Sequence, residues 1–277
     1  MDIQLTHDDF MTLVHRRQLE IRTYLEWALA NERRATKSNG SGSWRMEARP
    51  DIRDAAEAAE SFSEEWWGIV VFSCFGSKLG AKEVAPRFRR PLAPSEADDA
   101  FSQIEFRRGS VGHHRIQPGH TGAKRALRSA CERSDLFQSV LHDNRSFDAR
   151  YWDLRSAHLA QWGRTTCLDL LLRAGALGIG GRNCLPEFAY LDGSTGPSKG
   201  FDAVFGVQIT HENAPWAETV LQAWADNWDE VASRVGVEWE GAPLLPRDQE
   251  NFLCIYQERL GREPRSRDRR RVRGGCR

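Results

Sequence analysis

Gln161-Trp-Gly-Arg-Thr-Thr166, running on into Cys167-Leu-Asp-Leu-Leu-Leu172, is the stretch from which the rest of the chain is read. Gly163 is a turn residue and Thr165 a helix-capping one. Leu168, Leu171 and Leu172 then fall on one face of a helix running from Thr165 to Ala176. Phe147 to Gln161 carries the helix before it. Two helices joined through Gly163 make a helix–turn–helix hairpin, so this part of the chain is predicted to pack helix on helix.

The same period recurs outward. Phe10, Leu13, Val14, Arg17, Ile21, Leu25 and Leu29 predict one long helix over Asp8–Lys37. Ser38 to Ser43 is a loop without apolar content, and Asp51–Glu60 is an Ala- and acid-rich helix. Glu64–Leu79 carries Trp66, Trp67, Ile69, Val70, Val71, Phe72 and Phe75; its length favours a buried helix and its β-branched residues a strand, and a buried helix is expected. A basic, Pro-punctuated connector (Arg87–Pro94) leads to a helix over Ser95–Phe106, and Arg107–Thr121 is a Gly- and His-rich loop. Helices follow over Gly122–Cys131 and Ser134–Leu141. Beyond the hairpin, Gly178–Pro197 is irregular, Ser198–Phe205 is a short helix, Pro215–Val235 is a long one started by its proline, and Arg247–Leu260 closes the fold. No alternating strand and no repeat is found. The predicted class is all-α, with an N-terminal helical region (1–145), a second helical region holding the site (146–260), and a basic disordered tail (261–277).

Composition bounds the function classes. The apolar fraction of 40% and charged fraction of 28% lie far from those of disordered chains, so a packed core is expected. The net charge is zero, but eight arginines against Glu263 and Asp268 place six positive charges between Arg262 and Arg277, leaving the rest six negative. A polyanion partner therefore needs a local basic patch. Three arginines and three histidines between Arg107 and His120, among them His113, His114 and Arg115, are one candidate patch. The six cysteines include no CxxC and no Cys–His zinc spacing, so reduced core thiols and no metal are expected. Met1–Phe10 lacks the apolar core of a signal peptide, and no apolar run reaches 18 residues. A soluble, cytoplasmic protein with no membrane partner is expected; nothing indicates its oligomeric state.

Two places carry chemistry. The start of the Thr165 helix offers free N–H groups and the positive end of its dipole, and Gly163, Arg164, Thr165 and Thr166 surround it. That suits a phosphate, and equally an ordinary αα-corner. Tyr190-Leu-Asp-Gly-Ser-Thr-Gly-Pro-Ser-Lys-Gly200 packs three glycines, Ser194, Thr195, Asp192 and Lys199 into one short stretch, at a high cost in conformational entropy. It is not a phosphate-binding GxxxxGK[ST] loop. It either presents Asp192 and Lys199 to a ligand or serves the architecture.

The order of hairpin, apolar helix, Gly-rich turn, Asp and short helix resembles the helix-hairpin-helix DNA glycosylases. Trp162-Gly-Arg-Thr-Thr-Cys-Leu-Asp-Leu-Leu, the Tyr190–Gly200 stretch and Glu250-Asn-Phe-Leu-Cys-Ile-Tyr-Gln257 together resemble the alpha-glutamyl/putrescinyl thymine pyrophosphorylase group. The likeness covers roughly Phe147–Leu260; a standard glycosylase hairpin has two glycines where this one has Gly163 alone. The resemblance implies action on modified pyrimidines in double-stranded DNA, without a cofactor. Base excision after flipping the nucleotide, in the setting of anti-phage defence, is the first implied activity. Transfer of an amine or amino acid onto an activated thymine is the second. A helical module that binds DNA or protein without catalysis is the third reading. Under the first, Asp192, or alternatively Asp169, serves the sugar. Lys199 attacks as an amine or holds a phosphate, Gly163 to Thr166 with Ser194 and Thr195 grip DNA, and Trp162 and Tyr190 stack on the base.

Overall fold

The computed structural model describes residues 5–37, 45, 50–112, 120–180 and 185–262. Among them the chain forms fourteen α-helices and no strand, so the fold class is all-α. No described helix is long and apolar enough to cross a membrane. Contacts divide the chain into two compact units: a discontinuous one of residues 1–30 and 189–277, and a continuous one of residues 31–188. The sequence pattern places its boundary instead at 145/146.

The continuous unit holds α3 (Pro50–Ala59), α4 (Glu65–Phe75), α5 (Lys78–Val84), α6 (Pro94–Ser102), α7 (His120–Glu132), α8 (Ser134–His142), α9 (Phe147–Ser156) and α10 (Arg164–Ala176). Its centre is α4, where every residue from Trp66 to Phe75 is buried. Helices α3, α5, α7, α8 and α10 pack against it. A helix enclosed on all sides has no polar face, which is why its sequence shows no 3.6-residue period. Gly68 sets how closely α3 approaches: a Cβ there lies 2.5 Å from the Ala59 Cα. Gly76, in the left-handed conformation at φ +62°, ends α4 before the predicted Leu79.

A paired charge lies deep in this unit, where Arg150 and Arg164 are buried as well. Arg173 of α10, 5% exposed, donates to Asp51 Oδ2 at 2.7 and 3.0 Å, to Ser73 Oγ at 3.0 Å and to Asp169 Oδ2 at 3.4 Å. Its guanidinium also sits 5.0 Å from the centre of the Phe72 ring. Buried charge is tolerated only when paired and hydrogen-bonded, and here one arginine ties α10 to α3 and α4.

The discontinuous unit contains α1 (His7–Arg16), the first part of α2 (Gln18–Lys37, with the division at Ala30/Asn31), α11 (Gly196–Phe205), α12 (Ala214–Asp226), α13 (Trp228–Arg234) and α14 (Pro246–Arg262). Aromatic rings form its core. Tyr24 meets Trp224 at 5.5 Å and Tyr256 at 5.2 Å, Trp27 meets Phe252 at 6.0 Å, and Trp224 stacks on Trp228 at 5.6 Å. Much of the tryptophan content is thus structural.

Two predicted long helices are each a pair. Asp8–Lys37 breaks at Arg17, which turns to donate from Nε to the Val204 carbonyl (3.1 Å) and from its terminal nitrogen to Ala203 (3.4 Å). A cation on the last carbonyls of α11 satisfies orphan acceptors and favours the helix dipole. Pro215–Val235 breaks at Asn227, whose side chain donates to the Ala223 carbonyl at 2.8 Å. Cys74, Cys131 and Cys167 are buried and outside any disulfide, as expected of core cysteines, while Cys254 is half-buried. Burial pushes Cys131 up to about 11 and Cys167 to about 12. Cys184, Cys276, the Ser38–Ser43 loop and the basic tail beyond Arg262 lie outside the described residues.

Candidate functional site

In the discontinuous unit the backbone before α11 is held at every turn. Tyr190 adopts φ +54°, a conformation that costs a non-glycine residue about 1–2 kcal/mol. Its neighbours hold it there: the Ala189 N–H donates to Glu218 Oε2 at 2.9 Å and the Leu191 N–H to Glu218 Oε1 at 2.5 Å. One carboxylate of α12 thus brackets the strained residue. The Leu191 carbonyl accepts the Ser194 N–H at 2.9 Å and Ser198 Oγ at 3.5 Å. Gly193 completes the turn at φ +67°.

Asp192 stands between these anchors. It is exposed, and its Oδ2 lies 2.9 Å from Nδ1 of His211, which precedes α12. Ser194 Oγ and Ser198 Oγ pair at 2.7 Å. Thr195 is exposed and occupies the N-cap of α11 without capping through its side chain. Lys199 is exposed and forms no ion pair among the described residues. Asp192, Ser194, Thr195 and Lys199 therefore share one short segment, with Asp192 joined to His211 rather than to Lys199.

The glycines of this segment have structural causes. Helix α11 begins at Gly196, two residues before the predicted Ser198, and packs on α14. A Cβ at Gly196 would lie 2.4 Å from Cys254 Sγ, and one at Gly200 would lie 2.2 Å from the Leu253 carbonyl oxygen and 2.8 Å from its Cα. Gly196 and Gly200, one turn apart, bring two helix backbones together as small residues do. The entropic cost of the Gly-rich stretch is in large part a packing requirement.

No family model, characterised protein or solved structure matches this chain. The site is accordingly defined by its own geometry.

The hairpin of the continuous unit differs from its expected form. Helix α9 ends at Ser156, not near Gln161, and residues 157–163 form the connector, with His158 at φ +49° and Gln161 at φ +68°. Trp162, expected as a stacking ring, is a core residue: 2% exposed, donating from Nε1 to the Ala126 carbonyl at 2.9 Å, its ring 4.5 Å from that of Phe137. Tyr190, the other expected stacking ring, is 8% exposed. Arg164 and Thr166 are buried, and Thr166 Oγ1 donates to the Gln161 carbonyl at 3.4 Å. Thr165 alone of these side chains is exposed. Gly163 is the N-cap of α10 at φ −75°, where a Cβ would meet nothing within 4 Å. Asp169, the alternative carboxylate, is committed to Arg173.

In the Arg107–His120 stretch, His113, His114 and Arg115 lie outside the described residues. Arg107 is exposed, and the His120 ring stacks on Phe106 at 4.6 Å. Among the described residues no group of three His, Cys, Asp or Glu is placed to hold a metal ion.

Sequence reasoning missed His211 and Glu218. His211 is nineteen residues from Asp192, and Glu218 twenty-eight from Tyr190; no periodic pattern spans such intervals. The one local signal is the placement of both just before and within a helix whose start, at Pro215, is itself legible.

Proposed function

We propose that this chain acts on a base in DNA and excises a modified pyrimidine, with Asp192 as the carboxylate that serves the reacting sugar. The single observation that carries the reading is the geometry of Asp192: an exposed carboxylate on a backbone fixed by Glu218 and Ser198, hydrogen-bonded to His211 at 2.9 Å. Base excision needs such a group. As the N-glycosidic bond breaks, positive charge grows on the sugar, and a nearby carboxylate stabilises it or orients the attacking water. Water adds its hydroxyl to C1′ of the sugar and its proton goes to the departing base, a transfer suited to the imidazole of His211. Lys199, on the first turn of α11, supplies a cation for a phosphate beside the flipped nucleotide or an amine that attacks C1′ itself. The resemblance to the glycosylases and the thymine-modifying group supports DNA as the substrate class, and the all-α architecture is compatible with it.

A second reading, a helical binding module without catalysis, is favoured by the packing role of Gly196 and Gly200 and the burial of Trp162 and Tyr190. One assay separates the two. The purified chain is incubated with phage DNA carrying hypermodified pyrimidines, beside unmodified DNA, and released bases and altered base masses are read by mass spectrometry. Release from modified DNA that disappears in Asp192→Asn is the expected result. A heavier base formed when an amine donor is supplied indicates transfer instead. No released and no altered base in any arm refutes the enzymatic reading for these substrates in favour of the module.

A further inference from the structure

The continuous unit carries an open groove of about 440 Å³ beside α5, lined by Lys82, Arg87 and Arg107 together with the apolar Leu79, Pro86 and Ile104. Glu83 and Glu105 are its acidic members. Three cations thus line it against those two carboxylates, and Arg89, Arg90 and Arg108, next to the lining residues in sequence, bring the local cations to six. All six cations are exposed. Apart from Arg107, which lies 3.8 Å from Glu83, none of them forms an ion pair with a described residue. Lys82 reaches Glu57 only at longer range.

The segments that carry Arg87 and Arg107 are both fixed by backbone bonds. Phe88 is wholly buried between Arg87 and Arg89; its carbonyl accepts Trp67 Nε1 at 2.8 Å, and the Arg89 carbonyl accepts the Ser63 N–H at 3.0 Å. The Arg107 N–H donates to Glu83 Oε1 at 3.3 Å, and Ser110 Oγ donates to the same carboxylate while its N–H donates to the Arg107 carbonyl at 3.2 Å. Glu83, with its side chain 12% exposed, is spent on this framework and is turned away from solvent. A net excess of positive charge is therefore held on rigid supports in a chain whose body outside the tail is net acidic.

We infer that this groove is a binding surface for the phosphate backbone of duplex DNA. The inference rests on the reading above for the identity of the polyanion and adds where DNA is gripped: between Lys82 and Arg107, not at the buried side chains of the α10 hairpin. A backbone already fixed spares the cost of ordering these segments, so that side-chain freedom is what is lost on meeting phosphates, and the apolar lining suits the sugar carbons between them. Each phosphate neutralised contributes about 0.9 to the slope of log K against log salt.

Binding of the full chain to a fluorescent duplex is measured by anisotropy across a salt series. The variants are K82Q/R87Q/R107Q and a control that removes equal charge elsewhere, R22Q/R133Q/R234Q. The groove variant is expected to lose affinity about tenfold or more and to lower the slope by about 2 to 3. The control is expected to retain both, as the basic tail is present in each. Absence of duplex binding by the wild type, an unchanged slope in the groove variant, or equal losses in both variants overturns the inference. Loss by the groove variant of binding to phosphatidylserine-containing vesicles with duplex binding unchanged overturns it in favour of a membrane surface. Thermal unfolding of each variant separates misfolding from lost contact; should K82Q/R87Q/R107Q misfold, the slopes of R87Q and R107Q singly, each expected about 0.9 lower, decide. Base release is read in parallel on the hypermodified phage DNA: salt-dependent groove binding with no released or altered base there leaves this inference standing and removes the enzymatic reading for those substrates.

Discussion

The turn that starts α10 and the turn that starts α11 are built from the same residue types, yet their side chains lead opposite lives. Before and within α10, Trp162, Arg164 and Thr166 point into the continuous unit and are 2%, 8% and 9% exposed. Before and within α11, Asp192, Thr195 and Lys199 face solvent, while the backbone before the helix is clamped by Glu218 and Ser198. Glycine behaves oppositely as well. Gly163 has open space where a side chain would go, whereas Gly196 and Gly200 press against α14. A polar helix start with a glycine is thus a fold determinant in one unit and a supported, open surface in the other. What separates them is which side of the turn the neighbouring helices cover.

This contrast can be broken at several points. The largest effect is expected from Trp162→Ala, which removes a buried indole together with its hydrogen bond to Ala126 and destabilises the protein by about 4 kcal/mol. Urea denaturation measures it; a loss below about 1 kcal/mol would mean that Trp162 is not part of the core. Gly200→Ala places a Cβ against α14 backbone and is expected to cost about 3 kcal/mol by the same measurement. A neutral outcome would show that α11 and α14 have room to separate. Glu218→Gln is isosteric but offers an amide donor where two backbone N–H groups need acceptors, and should cost about 2 kcal/mol. It should also expose the Ala189 and Leu191 amides to hydrogen exchange, and unchanged protection there would remove Glu218 as the clamp of the Asp192 turn. The smallest effect belongs to Gly163→Ser: with φ −75° and no steric obstacle, a capping hydroxyl should stabilise α10 by a few tenths of a kcal/mol. A marked destabilisation would show that Gly163 has a role beyond the cap.

Read together, these residues show how far each level of description reaches. The 3.6-residue period of the apolar residues, with Gly and Pro as punctuation, identified an all-helical chain and most helix positions, because burying one face of a helix leaves a local trace in sequence. Gly163, Asp192, Gly193 and Lys199 were legible as turn and polar residues for the same reason. Breaks at Arg17 and Asn227 were not, since each is compensated by a contact from a side chain: Arg17 onto carbonyls of α11, Asn227 onto its own preceding turn. The inward turn of Trp162 and Thr166, the glycine pair on α14, the pairing of Asp192 with His211 and the hold of Glu218 on Tyr190 belong to the tertiary structure alone. They depend on which helix lies across from which, through contacts separated by many residues, and no local pattern encodes that distance. Sequence by itself determined the class of structure and the residues available for chemistry; packing decided which of them remain open to perform it.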